Sequence, residues 1–181
     1  GDLIEIKHGY MFKGSYISNI KSKYILLTPK NFDTDGHINL LIIKYLHGVI
    51  IPRYILKPGS IVIAMPDLSY NQEILGKPIY IPHNEYVFMH NQRIGLICFK
   101  SKMVDSTFLY YLLLTDKFHN YILSVASGTT VRHISPSRIE NFTFNLPVMS
   151  FQKKVGLILS LCDLCVKNLK EQTVILEKIQ E

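Results

Sequence analysis

Acidic side chains are scarce in this sequence, 14 against 20 Lys and Arg, and no two of them stand in a spacing that pairs carboxylates for acid/base work. The seven histidines (His8, His37, His47, His83, His90, His119 and His133) show no metal-ligand spacing such as H-x-x-x-H, so they read as scattered surface or partly buried rings. Nucleophile elbows, P-loops and dinucleotide fingerprints are missing, and Gly128-Thr129-Thr130 resembles a phosphate-binding turn in composition only. No apolar stretch reaches the ~20 uncharged residues of a membrane span, and the start shows no signal-peptide pattern. Both absences predict a soluble, unexported chain with no membrane partner. Cysteine is limited to Cys98, Cys162 and Cys165, an odd count that argues against a disulfide framework and for a reducing cytoplasm. Cys162-x-x-Cys165 has the spacing of a redox or zinc motif but no second ligand pair, so two thiols buried on a helix face are expected, and no metal site. Repeats and low-complexity tracts are absent as well.

What is present suits a folded domain. Hydrophobic residues make up 48% and charged ones 19%, too apolar for a disordered chain, and 181 residues suffice for one full core with an appended element. The formal charge of +6 favours partners that carry phosphate. From Met149 onward five Lys face Asp163, Glu171, Glu177 and Glu181, leaving +1 there and +5 on residues 1–148. The surplus belongs to the globular part.

Residues 1–100 alternate short β-rich runs with Gly, Pro, Asn and Asp, the reading of an all-β or α+β region. The expected strands are Tyr24–Leu27, Ile38–Ile43, Ile61–Ala64, Ile79–Ile81, Tyr86–Met89 and Arg93–Phe99. Asp35-Gly36 signals a type I′ hairpin turn, and Lys57-Pro58-Gly59 a second turn in which Pro presets φ and Gly takes the left-handed position. From Asp105 the period lengthens: Ser106–Leu114 and Phe118–Val125 are helical, capped by Asp105 or Ser106 and ended at Ser127-Gly128. A short strand, Asn141–Leu146, is expected before Pro147.

The last segment carries the clearest pattern. Val155, Cys162, Leu169 and Leu176 occupy one heptad position, and Ile158, Cys165, Gln172 and Ile179 the other, so seven of eight seam residues are apolar. With Ser150 as cap, the helix is about 48 Å long at ~1.5 Å per residue, more than a domain of this size can bury. It needs a partner helix. Leu157, Leu161 and Leu164 widen the apolar face near its start, where it is expected to lean on the domain or on something larger. Two units follow: residues 1–148 as a globular domain and 149–181 as the helix.

Polar, basic and aromatic residues collect in the expected loops: Tyr10–Tyr16 with Lys13 and Tyr16, Lys44-Tyr45 with His47, Arg53-Tyr54, Asn71-Gln72, Asn91-Gln92-Arg93, and Thr129-Thr130-Val131-Arg132-His133. Arg can pair bidentately with guanine, Asn or Gln with adenine, and Lys grips phosphate. Each cluster alone also reads as a core-capping aromatic or a solvated cation; together they favour a surface for double-stranded DNA. An interaction scaffold built on the helix, or a nuclease or methyltransferase of unfamiliar arrangement, stays open on this evidence.

The same residues resemble a family. Leu3-Ile4-Glu5-Ile6-Lys7-His8-Gly9-Tyr10-Met11-Phe12 is similar to the opening of recognition domains in the specificity subunits of type I restriction-modification systems. Leu56-Lys57-Pro58-Gly59-Ser60-Ile61 resembles their strand entry, with Ser60 in place of the usual Asp. Asn91-Gln92-Arg93-Ile94, Ser127-Gly128-Thr129-Thr130 with Ile134-Ser135, and Leu146-Pro147-Val148 with Gln152-Lys153-Lys154-Val155 match further stretches in the right order. The resemblance implies a mixed α/β target-recognition domain with a long C-terminal coiled-coil helix, in a non-catalytic subunit of a type I or related type IIB-like system. It implies recognition of one half of a split target and docking of methyltransferase and restriction subunits. It also implies no cofactor in this chain, with S-adenosylmethionine held by the methyltransferase partner. Full-length members have two such domains and two such helices, so one of each here points to a second recognition domain, by preference from a homodimer.

Overall fold

The computed structural model describes residues 1–67, 69 and 71–180. Among them run ten strands: β1 (Ile4–His8), β2 (Ile17–Ser18), β3 (Tyr24–Leu27), β4 (Tyr45–Leu46), β5 (Ile61–Ala64), β6 (Pro66–Asp67), β7 (Pro78–Tyr80), β8 (Val87–His90), β9 (Ile94–Phe99) and β10 (Arg132–His133). The α-helices are α1 (Ser106–Leu114), α2 (Asp116–Val125), α3 (Pro136–Glu140) and α4 (Met149–Gln180). The expected mixed α+β architecture with a long C-terminal helix is what the chain adopts.

Ile61–Ala64 is apolar at four consecutive positions because both its faces are covered. It lies inside an antiparallel sheet of order β1-β9-β5-β7. Ile61 and Ile63, with Ile4, Ile6 and Ile97, pack against Leu109, Leu113, Phe118, Ile122 and Ile139 from the three short helices. Val62 and Ala64, with Ile79 and Ile94, meet Ile25, Leu27 and Phe88 of a second sheet, order β2-β4-β3-β8, in which β3 and β8 run parallel. The result is helices on sheet on sheet, with β6 and β10 forming a separate two-stranded ribbon.

Local signals explain the helix boundaries. The Asp105 carboxylate accepts the Thr107 and Phe108 N–H groups, so α1 starts where its cap stands. At the Lys57–Ser60 turn, Ser60 N–H donates to Lys57 carbonyl and Gly59 adopts φ +79, as Pro-Gly predicts.

Five expectations need correction. Ile38–Ile43 forms no strand, because the buried Asn31 amide captures the Asn39 and Ile42 carbonyls and bends the segment into a loop. Asn141–Leu146 is likewise extended without a ladder partner; its alternating Phe142 and Leu146 simply bury against the helix-side core. At Asp35-Gly36 only Gly36 has positive φ, and the Asp33 carboxylate holds the turn by accepting Asp35 and His37 N–H, so it is not type I′. Gly128 lies beyond the end of α2, in a hairpin where a Cβ would stand 2.1 Å from the Val131 carbonyl oxygen. Ser150 falls inside the first turn of α4, one residue past its start, and is not its cap.

The long helix leaves the globule along one stripe. Gln152 is buried, its amide accepting Asp105 N–H (2.8 Å) and donating to Met103 (2.9 Å) and Pro147 (2.7 Å) carbonyls. Gly156 passes close to Thr107 and Phe108 of α1, Tyr111 hydroxyl donates to Asp163 (2.8 Å), and Lys170 reaches Asp35 (3.3 Å). The heptad seam lies roughly 130° around the axis from that stripe at ~100° per residue. Ile158, Cys162, Cys165, Leu169 and Leu176 on it are exposed and Val155 half-buried, while the side chain of Ile179 lies outside those described. Two further expectations fall here. The Cys162 and Cys165 thiols are exposed on this chain, and of the two supports expected for Leu157, Leu161 and Leu164 the domain is not one, because the stripe that docks is the one bearing Gln152 and Gly156.

Candidate nucleic-acid interface

Strand register decides which loops meet. His8 stands opposite Gly95, Ala64 opposite Ile94, and Leu27 opposite His90. The ends of β1, β3, β5 and β8 and the start of β9 therefore share one edge of the double sheet. Four connections leave there: Gly9 onward, Thr28 onward, Met65 onward, and the Asn91–Arg93 turn.

Two of them are stitched together. Tyr10 N–H donates to His90 carbonyl (2.8 Å) and Gln92 N–H to Tyr10 carbonyl (3.1 Å), while a Cβ on Gly9 would fall 2.3 Å from the Asn91 carbonyl oxygen. Only glycine permits that approach. Asn91 uses its carboxamide oxygen to accept Arg93 N–H (3.0 Å), which fixes the turn and leaves the Gln92 and Arg93 side chains exposed. With Met11, Phe12, Thr28 and Lys44 these two line a cleft, and none of its described lining residues is acidic. Lys44 is oriented by donating to Asn19 (2.8 Å).

An aromatic cluster forms one wall. The Tyr10 ring lies 5.1 Å from Phe12 and 5.2 Å from Tyr54, and the Arg53 guanidinium sits 4.8 Å over Tyr54. Behind it His90 is buried with Nε2–H donating to Ile94 carbonyl (2.8 Å), and burial pushes its pKa below the ordinary histidine range. The ring stays neutral at pH 7 and props the wall without adding charge. Lys13 follows Phe12 and is exposed.

The second group hangs from the ribbon. Met65 N–H donates to Arg93 carbonyl (3.2 Å) and Ile134 N–H to Met65 carbonyl (2.9 Å), which puts β10 beside the same edge. Thr129, Thr130 and His133 are exposed on the hairpin closed by Ser127 and His133. Buried Asp67 accepts Ser69 (2.7 Å) and Ile74 (2.9 Å) N–H groups and shapes the loop carrying Asn71 and Gln72, where Gln72 takes φ +55.

Not every residue singled out in the sequence faces solvent. Arg132 is half-buried, with its Nη2 donating to the Leu123 (2.8 Å) and Ala126 (3.4 Å) carbonyls; with Arg138 on Val125 it satisfies the C-terminal end of α2. Tyr16 packs with Phe12, Leu26 and Leu46, and Tyr45 packs between the sheets 6.5 Å from Tyr86. Conversely, sequence reasoning passed over Thr28 as a cleft residue and took in Met11 only as part of the Tyr10–Tyr16 stretch. Gly9, two positions before Met11, was the available signal. Among the described residues no group of three or more His, Cys, Asp or Glu could hold a metal ion, and no helix is long and apolar enough to cross a membrane.

The chain is 28% identical over 194 aligned residues to the type I restriction enzyme MjaVIII specificity subunit of Methanocaldococcus jannaschii, covering 99% of this chain and 42% of that protein. The MjaIX specificity subunit of the same organism is 33% identical over 76 residues, 42% of this chain and 18% of the relative. The chain thus spans less than half the length of either. In fold it resembles the type I restriction-modification S subunit from M. genitalium (TM-score 0.62, 17% identity, 93% of this chain and 39% of that one). The HsdS subunit from Thermoanaerobacter tengcongensis is similar too (TM-score 0.60, 13% identity, 93% and 37%). The family described as type I restriction modification DNA specificity domain matches residues 1–178. These relatives are named for specificity, the non-catalytic part of such systems, and the chain belongs to the type I restriction-modification specificity family.

Proposed function

We propose that this chain reads one half of a bipartite duplex-DNA target through the edge where its loops converge. The observation that carries the reading is the cleft in which Lys44, Gln92 and Arg93 stand together, with no acid among its described lining residues. Gln and Arg supply adenine- and guanine-type pairing, Lys44, Lys13 and Arg53 supply phosphate contacts, and Asn71, Gln72, Thr129, Thr130 and His133 extend the surface along the ribbon. Arg132 takes part by holding the hairpin against α2. The chemistry of methyl transfer belongs to a methyltransferase partner that carries S-adenosylmethionine, with the restriction subunit joining through the complex in the cytoplasm. Binding to duplex DNA, with methyltransferase added, is expected to weaken with a log–log salt slope of about −0.9 per phosphate contacted. A fluorescence-anisotropy titration that finds no salt-dependent binding removes the proposal.

Helix α4 is, in this reading, the spacer: its exposed seam pairs antiparallel with the same helix of a second copy and fixes the separation of two half-sites. Leu169 lies mid-seam with 62% of its surface exposed in the single chain. Leu169→Asp is expected to convert a dimer to a monomer, because a carboxylate at that contact is desolvated without a partner. Sedimentation equilibrium is the check; an unchanged dimer mass rejects the self-pairing.

A further inference from the structure

Next to the cleft the chain orders a loop that buries nothing at its tip. Asn31 is fully buried and spends its whole carboxamide on this loop: its oxygen accepts Thr28 N–H and Oγ1–H (2.9 Å each), and its nitrogen donates to the Asn39 and Ile42 carbonyls (3.0 Å each). Asn39 N–H donates to Asn31 carbonyl, and Asn39 Oδ1 accepts Leu41 N–H (both 2.8 Å). Fixing backbone costs conformational entropy, so this anchoring offsets a real loss of freedom. Yet the residue it presents, Leu41, is 90% exposed, with Ile42 half-exposed beside it.

A single exposed leucine needs no explanation. Here the apolar tip has company and a fixed place. Thr28, which Asn31 grips, lines the basic cleft, and so do Lys44, three residues past Leu41, and Met11, itself 68% exposed. Lys44 reaches Asn19, and Ile20 beside it is exposed, its carbonyl held by the His47 ring (3.0 Å). Exposed aliphatic side chains therefore stand on segments that adjoin Lys44, at the border of the cleft that offers Gln92 and Arg93.

We propose that Leu41, with Ile42, is the apolar reader of this site and contacts thymine C5-methyl groups in the major groove. This rests on the DNA-reading function proposed above. Charge complementarity names the occupant: Lys44 and Arg93, which share the cleft, suit a phosphate backbone. Within a duplex groove the thymine methyl is the apolar feature displayed alongside the base edges that Gln92 and Arg93 would engage. Stability supplies no reason for an anchored loop to hold Leu41 in water.

The test begins with selection of bound duplexes from a random library by the protein with its methyltransferase partner. The enriched site is then made with thymine or with deoxyuridine, which differs only by the methyl. Wild type is expected to bind the deoxyuridine site about 4-fold more weakly for each methyl contacted, from ~0.8 kcal/mol per buried carbon. Leu41→Ala should discriminate between the two duplexes less than wild type, and its melting temperature should match wild type because the side chain is outside the core. Equal wild-type affinity for the two duplexes, an enriched site without thymine, or an undiminished preference in Leu41→Ala would each overturn the inference. If Arg93→Ala weakens binding while the methyl has no effect, DNA reading stands and the apolar reader falls. Absence of binding to every duplex overturns both.

Discussion

Replacing Lys44 and Arg93 together by alanine should weaken duplex binding on the order of 100-fold at about 0.1 M salt without unfolding the protein. Two terms add up to that figure. One phosphate contact contributes a slope of about 0.9 in log K against log salt, so losing it costs roughly 8-fold at 0.1 M relative to 1 M. A bidentate arginine–guanine pair discriminates by ~1–3 kcal/mol, roughly 5- to 150-fold. The structural risk is small. Arg93 is exposed, and the bonds that hold its turn run through Asn91 Oδ1 to its N–H and through its carbonyl to Met65 N–H, all retained in alanine. The single variants separate the roles. Lys44→Ala should weaken every sequence alike and flatten the salt dependence, whereas Arg93→Ala should relax the choice of base at one position. A double variant with wild-type affinity would remove this edge from consideration as the reading surface.

Much of the fold was legible because local chemistry and global packing agree there. Helix α1 begins where Asp105 can cap it, and β5 reads as a continuous apolar run because both its faces are covered. Failures occur where a distant side chain decides. Nothing in Ile38–Ile43 announces that Asn31, seven or more residues back, takes its carbonyls; a pattern of alternating apolar residues is indifferent to whether a ladder partner exists. The same applies to Asn141–Leu146, where Phe142 alternates correctly but packs edge-on 5.0 Å from Phe118 with no strand beside the backbone.

The candidate site was legible as residue types and not as a place. Asn91-Gln92-Arg93 and the Tyr10–Tyr16 stretch stand out by composition, but that they touch follows from the register of β1 on β9 and from the missing side chain of Gly9. Arg132 shows the opposite error. An arginine beside threonines in a loop looks like a phosphate grip until the open carbonyls of α2 are seen to use it. The heptad spacing in α4 is plain in the sequence, but it does not say which stripe docks on the domain: the one bearing Gln152 and Gly156 does, and Cys162 and Cys165 are exposed.

Gln152 roots helix α4 in the domain. Its relative exposure is 1%, and its three hydrogen bonds join the end of the 103–105 segment, the Pro147 carbonyl and the first turn of the helix. Gln152→Leu keeps the volume but leaves Asp105 N–H and two carbonyls unpaired, at ~1–3 kcal/mol for each buried group that water does not reach. An overall loss of about 3–5 kcal/mol is expected, read as a lower urea midpoint with enhanced proteolytic cleavage near Met149. Gln152→Glu makes the cause visible through pH. Its carboxylate would face the Met103 and Pro147 carbonyls in place of donating to them, so burial and repulsion raise its folded pKa above the ordinary ~4.3 of glutamate. The folded state then binds the extra proton more tightly than the unfolded one. Measured against wild type at the same pH, this variant should be least destabilised below about pH 4 and lose stability as pH rises through the folded pKa, a difference absent from Gln152→Leu. If both variants unfold at the wild-type midpoint across that range, the Gln152 bonds are not what fixes the helix to the domain.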